Sequence, residues 1–111
     1  MKTERRRRRS AKAHEAVSLY LESFREQAGL EAVALTTTDG LLIGGAGAQV
    51  DLEWMGALGA ASTKPSLTWE SRTLHVESLS VHAFDLCLIS AGKKVKAKGL
   101  TEGLERILPL A

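Results

Sequence analysis

A single cysteine, Cys87, rules out an intramolecular disulfide, and no second cysteine or closely spaced histidine stands near it to complete a metal-ligand set. Set in the apolar run Phe84-Asp85-Leu86-Cys87-Leu88-Ile89, it is expected to be a buried, inert thiol. No apolar stretch approaches the roughly 20 residues of a membrane-spanning helix. The basic N-terminus has no apolar segment after it, as a secretory signal requires, so the default expectation is a cytoplasmic protein. Prolines number two, Pro65 and Pro109, and each is expected to end a helix.

Catalytic signatures are equally sparse. Gly44-Gly45-Ala46-Gly47 invites a phosphate-cradle reading, but no lysine followed by Ser or Thr stands at the required spacing and no Gly-x-Gly-x-x-Gly is present. These glycines are expected in a flexible loop between a strand and a helix. His14, His75 and His82 are dispersed, with no carboxylate and nucleophile at a motif spacing, so His75 and His82 are expected on a strand surface. The acidic pairs Glu22/Glu26 and Glu102/Glu105 sit at helical spacings and read as solvated helix faces. Nothing here points to catalysis, a metal or a cofactor.

What is present is 111 residues, 44% hydrophobic and 25% charged, the length and balance of one globular domain. The net charge of +2 conceals an asymmetry. Residues 1–12 hold seven of the 15 basic side chains and one of the 13 acidic ones, leaving a body with eight basic and twelve acidic groups. Residues 1–9, with the run Arg5, Arg6, Arg7, Arg8 and Arg9, are expected to be a disordered basic tail or frayed helix, and residues 10–111 the domain. The run could touch nucleic-acid phosphates or anionic lipid weakly, but no aromatic residue is interleaved with it and the body is acidic. A sequence-specific reader is not expected, and an auxiliary patch or simple solubility is favoured.

From Ser10 the spacing of Ala13, Val17, Tyr20, Leu21, Phe24 and Ala28 predicts a helix stopped by Gly29. A strand follows over residues 30–37, and Asp39-Gly40, which tolerate positive φ, turn it back into a second strand over residues 41–45. Asp51 is a plausible N-cap for a helix over residues 52–61, with Glu53 in its first turn. Gly56 and Gly59 cost this helix roughly 1 kcal/mol each, which close packing must offset. That close neighbour is either the helix's own sheet or a second helix, such as one from another subunit. Residues 67–89 are β-rich, with a phase slip near Glu77-Ser78 that suggests a β-bulge or a poorly amphipathic strand. A tight turn is expected at His82-Ala83, a central strand over residues 84–89, a solvated basic connection over residues 93–98, and a closing helix from Thr101 with Leu104, Ile107 and Leu108 inward. The order is α-β-β-α-β-β-α, with a possible extra short strand near Leu67 to Trp69.

The order and its pieces, EAVALTTTDGLLIGGAG, DLEWMGALGAAS, LHVESLSV and FDLCLIS, resemble the Roadblock (dynein light chain) family over about residues 14–108. The most telling piece is VALTTTDGLLI, similar to the family's strand-Asp-Gly-strand signature. The resemblance implies an α+β, profilin-like sandwich with a central antiparallel sheet. It also implies a non-enzymatic protein that dimerises, with itself or a related Roadblock domain, by joining sheets edge to edge with the second helices side by side. Such proteins bind and regulate small Ras-like GTPases, in bacteria the polarity and motility GTPase, or serve as scaffolds. On that basis Gly56, Ala57, Gly59 and Ala60 are expected at helix pairing, and Trp54, Met55 and Leu58 at subunit or GTPase contact. The arginine tail, the brief third strand and the short closing helix depart from the pattern. The alternatives are a basic-tailed dimerising adaptor on nucleic acid or anionic membrane, and a small-molecule-sensing profilin-like domain.

Overall fold

The computed structural model describes residues 2–47, 50–96 and 98–108, with side chains from residue 12 onward except Lys98. Helix α1 spans Lys2–Ala28 and is followed by strands β1 (Ala32–Thr37) and β2 (Leu42–Ala46), helix α2 (Leu52–Ala61), strands β3 (Ser66–Trp69), β4 (Arg72–Val81) and β5 (Phe84–Ala91), and helix α3 (Lys98–Ile107). The strands form one antiparallel sheet in the order β2-β1-β5-β4-β3. The possible extra strand is therefore real, and it is one of the sheet's two outer strands.

Helices cover both faces of the sheet. Val33 and Leu35 of β1 and Leu86 and Leu88 of β5 point to one face, where they bury against Val17 and Leu21 of α1 and Leu100 and Leu104 of α3. The alternate residues Ala32, Ala34, Ile89 and Ala91 point to the other, where Met55 of α2 packs on them. The period-two alternation of a strand thus feeds two separate cores. It also accounts for the slip in β4, which pairs with β5 in unbroken register from Leu74↔Ala91 to Val81↔Phe84. Leu74 belongs to the α2 core, whereas Leu79 and Val81 belong to the other. Of the two readings of that slip, a bulge and a poorly amphipathic strand, the second holds: β4 is buried on one face at its start and on the opposite face at its end.

Residue-level punctuation explains the boundaries. Gly29, at φ +70°, ends α1, and Leu30 N–H bonds back to Arg25 O at 3.0 Å, the reverse turn that a left-handed glycine permits. The β1–β2 connection is longer than a two-residue turn. Gly40 N–H reaches Thr37 O at 3.0 Å and only Gly40 has positive φ, so Asp39 serves instead as acceptor for the Thr37 hydroxyl. That bond holds the Asp39 carboxyl below its usual range, with its own backbone N–H helping. The bulge of this protein lies here, between the pairs Leu35↔Gly44 and Thr36↔Leu42. The β4–β5 turn is tight as expected, with His82 and Ala83 both at positive φ, and Glu70-Ser71 forms a matching turn between β3 and β4.

Of the two places expected for Gly44 and Gly45, the end of the second strand and a loop, the strand holds, and it extends to Ala46. A Cβ at Gly44 would lie 2.6 Å from Val17 Cγ1, so this glycine lets α1 sit directly on the sheet edge. The arginine run, expected as a disordered tail or frayed helix, has helical backbone continuous with α1. Arg, Lys and Glu are good helix formers, and Glu4 stands four residues before Arg8 in the favourable orientation.

Candidate functional site

The sheet's two edges differ. The β2 edge is closed by α1, whose Ser18 hydroxyl accepts from Gly45 N–H at 3.2 Å and whose His14 Nδ1 bonds Ile43 O at 2.8 Å. The β3 edge pairs with β4 alone and has no helix across it among the described residues. Arg72 braces the β3–β4 end by stacking 5.7 Å from the Trp69 ring and bonding Glu31 at 2.7 Å.

Helix α2 is built on the residues the sequence indicated. Asp51 caps it, accepting from Trp54 N–H at 3.1 Å, and Ser62 closes it with an N–H bond to Gly59 O. Its inward face is Met55, Gly56 and Gly59, all buried. A Cβ at Gly56 would lie 2.6 Å from Thr36 Cγ2, and one at Gly59 would sit against Cγ1, Cγ2 and Cβ of Ile89. Between the two explanations for these glycines, the geometry selects the helix's own sheet. Gly56, Gly59 and Met55 are thus core residues, and they are withdrawn from the expected partner surface.

The outward face retains the rest. Trp54 is 57% exposed, Leu58, Ala57 and Ala60 are half-buried, and Ala61 is exposed. Trp54, Leu58 and Ala61 fall at i, i+4 and i+7, one stripe of the helix. No charged residue occurs from Trp54 to Thr63, so this solvent-facing stripe is uncharged throughout. Surface helices ordinarily carry charge on that side.

Beside the stripe lies an open groove of about 560 Å³ lined by His14, Gly40, Leu41, Leu42, Asp51, Glu53 and Trp54. The β1–β2 turn forms one wall, where Leu41 is 70% exposed, and α2 forms the other. Turn and helix touch because Gly40 abuts Ala57, leaving only 3.3 Å between a Cβ there and Ala57 Cα. Leu41 had no signal in the sequence beyond its place after the turn. Its exposure follows from the bulge, which shifts the phase of β2 at its start.

Other candidates resolve as structural. His82 Nε2 lies 2.8 Å from both Glu105 O and Leu108 O, so the nitrogen carries a proton and donates to the end of α3. His75 is a half-buried strand residue. Glu22 bonds Arg25 and its carboxyl is held low by that bond. Cys87 is half-buried with its thiol pushed up by burial, partly opposed by a bond to Thr36. Among the described residues no three His, Cys, Asp or Glu side chains cluster as a metal would require, and no helix is long and apolar enough to cross a membrane.

No family model and no curated protein matches this chain. Among solved structures, MglB of Myxococcus xanthus superposes with a TM-score of 0.55 at 15% identity, covering 87% of this chain and 93% of that one. The likeness is one of fold. The α+β Roadblock-like sandwich is the fold observed, and at 15% identity the comparison shows the fold alone.

Proposed function

We propose that this protein is a non-enzymatic, dimeric interaction module that regulates or scaffolds a small Ras-like GTPase. The observation that carries the reading is the uncharged, solvent-facing stripe of α2 around Trp54, next to the groove walled by Leu41. A tryptophan exposed on a charge-free helix face has the character of an interface hot spot, since burying it removes a large apolar area from water. The β3 edge offers a second copy a strand to pair with, which would bring the two α2 helices to the same side of a continuous sheet. The Roadblock resemblance and the shared fold with MglB support the same assignment. The partner is held by surface complementarity, with Leu58, Ala57 and Ala60 framing Trp54.

The test uses purified full-length protein. Light scattering should give twice the monomer mass of 11.9 kDa, and Trp54→Glu should reduce partner capture without lowering the unfolding midpoint. Binding to small Ras-like GTPases from the same genome is measured in GDP and GTP-analogue states. A monomer that captures none of them in either state overturns the proposal.

A further inference from the structure

The arginine run has no role in the α2 surface, and its placement on α1 supplies what the sequence alone lacked. Among the described side chains, α1 first meets the sheet at His14, Val17 and Ser18, against Ile43, Gly44 and Gly45 of β2. Later residues of α1 meet later residues of β2, so the helix runs along the strand and its earlier residues continue past the β1–β2 turn. From Lys2 to His14 that continuation is about 18 Å at 1.5 Å per residue. The molecule is accordingly elongated, 45 × 26 × 25 Å.

Arg5, Arg6, Arg7, Arg8 and Arg9 occupy successive positions 100° apart, together more than one full revolution of the helix. No side of this segment lacks a cationic position. Insertion into a membrane interface needs an apolar face, and residues 2–12 contain nothing apolar larger than Ala11, so an anionic lipid surface would engage only one side of this helix. A helix cationic all round instead matches a cleft whose two walls are both anionic. The major groove of B-form DNA is such a cleft, about 12 Å wide and flanked by phosphates, against a helix about 10–12 Å across. The deep, narrow major groove of duplex RNA does not admit one. The acidic body would be repelled by phosphates, which leaves the projecting segment as the contact. The lysines at 93, 94 and 96 lie at the far end of α1, where Lys93 approaches Gly29, and take no part.

We infer that the N-terminal extension of α1 is a sequence-independent anchor for duplex DNA, seated as a helix in the major groove through Arg5–Arg9. Arginines on the two flanks of the helix neutralise phosphates of both strands, and a run of one residue type presents no varied set of base contacts from which a sequence could be read. The site is separate from the α2 surface, so partner capture and DNA binding are lost by different substitutions.

The test is fluorescence anisotropy of a short, mixed-sequence labelled DNA duplex titrated with the full chain. At most five phosphate contacts bound the slope at about −4.5 in log affinity against log salt, a loss of up to about 500-fold between 50 and 200 mM. The variant R5Q/R6Q/R7Q/R8Q/R9Q should abolish binding. Ser10→Pro interrupts the helix while leaving every charge in place, and should weaken binding about tenfold or more. Circular dichroism and the unfolding midpoint of each variant verify that the domain remains folded. Three results would each overturn the inference: no duplex binding at 50 mM salt, S10P binding as tightly as wild type, or equal affinity for duplex RNA or phosphatidylserine vesicles.

Discussion

Replacing Gly59 by alanine sets two effects of opposite sign against each other. In an exposed helix interior the change should stabilise by about 1 kcal/mol through helix propensity. Here the added methyl would lie 3.0 Å from Ile89 Cγ2, 3.2 Å from its Cβ, and nearer still to Cγ1. Ile89 is fully buried in β5, a central strand held between β1 and β4, and its β-branched side chain has little rotameric freedom. Neither partner can yield cheaply, so α2 must lift from the sheet, and a contact this close belongs in the upper half of the overpacking range, roughly 2–3 kcal/mol. The clash wins, and Gly59→Ala is expected to lose about 1–2 kcal/mol net. The assay is urea unfolding at one fixed protein concentration, because association would otherwise shift the midpoint. Ile89→Ala deletes Cγ1 and Cγ2 and leaves only Cβ at 3.2 Å, so in that background Gly59→Ala should stabilise, giving a coupling of roughly 2–3 kcal/mol. An unchanged or raised stability for Gly59→Ala alone would refute the assignment of this glycine to the sheet. If dimer mass fell instead with intramolecular stability intact, the glycines would belong to a helix pair.

His82→Ala should cost about 1 kcal/mol and speed amide exchange over the last turn of α3, since two carbonyls at the helix end lose their donor; unchanged exchange there would remove His82 from that role. Gly40→Ala should destabilise by about 1 kcal/mol, because φ +94° is strained for any side chain and Ala57 crowds the position, and the unfolding midpoint measures it. Glu22 titrates below the ordinary glutamate value because Arg25 bonds its ionised form. The unfolded chain therefore takes up that proton first, so the contribution is present at neutral pH and is lost as pH falls through the folded value. An NMR titration should show the shift disappearing in Arg25→Ala, and persistence of the shift would assign it to another cause. Cys87 should alkylate more slowly than free cysteine at pH 8, as burial raises its thiol, and a reaction as fast as that of free thiol would contradict its placement.

The elements legible in the sequence were those whose signal is local. The C-terminal Gly29, the N-cap Asp51, the Thr37-to-Leu42 hairpin and the His82-Ala83 turn each depend on a few neighbouring residues, and each stands within a residue or two of its expected place. Gly44 and Gly45 stood open between strand and loop because glycine is a breaker by propensity, and only the approach of Val17 from 27 residues away makes Gly44 the required strand residue. Leu41 was passed over because its exposure depends on a bulge that composition does not announce. In α2 the residue types were right and the facing was open, since a stripe of small residues permits close approach without saying whose.

Period and punctuation in the sequence by themselves determined a small α+β domain, its order of elements and the absence of a recognisable catalytic motif, because these follow from alternation, capping and turn residues acting over a few positions. Tertiary structure decided the rest. It divided β4 between two cores, turned the glycines of α2 inward onto Thr36 and Ile89, left Trp54 and Leu41 beside one groove, and closed one sheet edge with α1 while leaving β3 outermost. Each of those outcomes depends on which surface meets a residue across the fold, and that is a property of contacts distant in the chain.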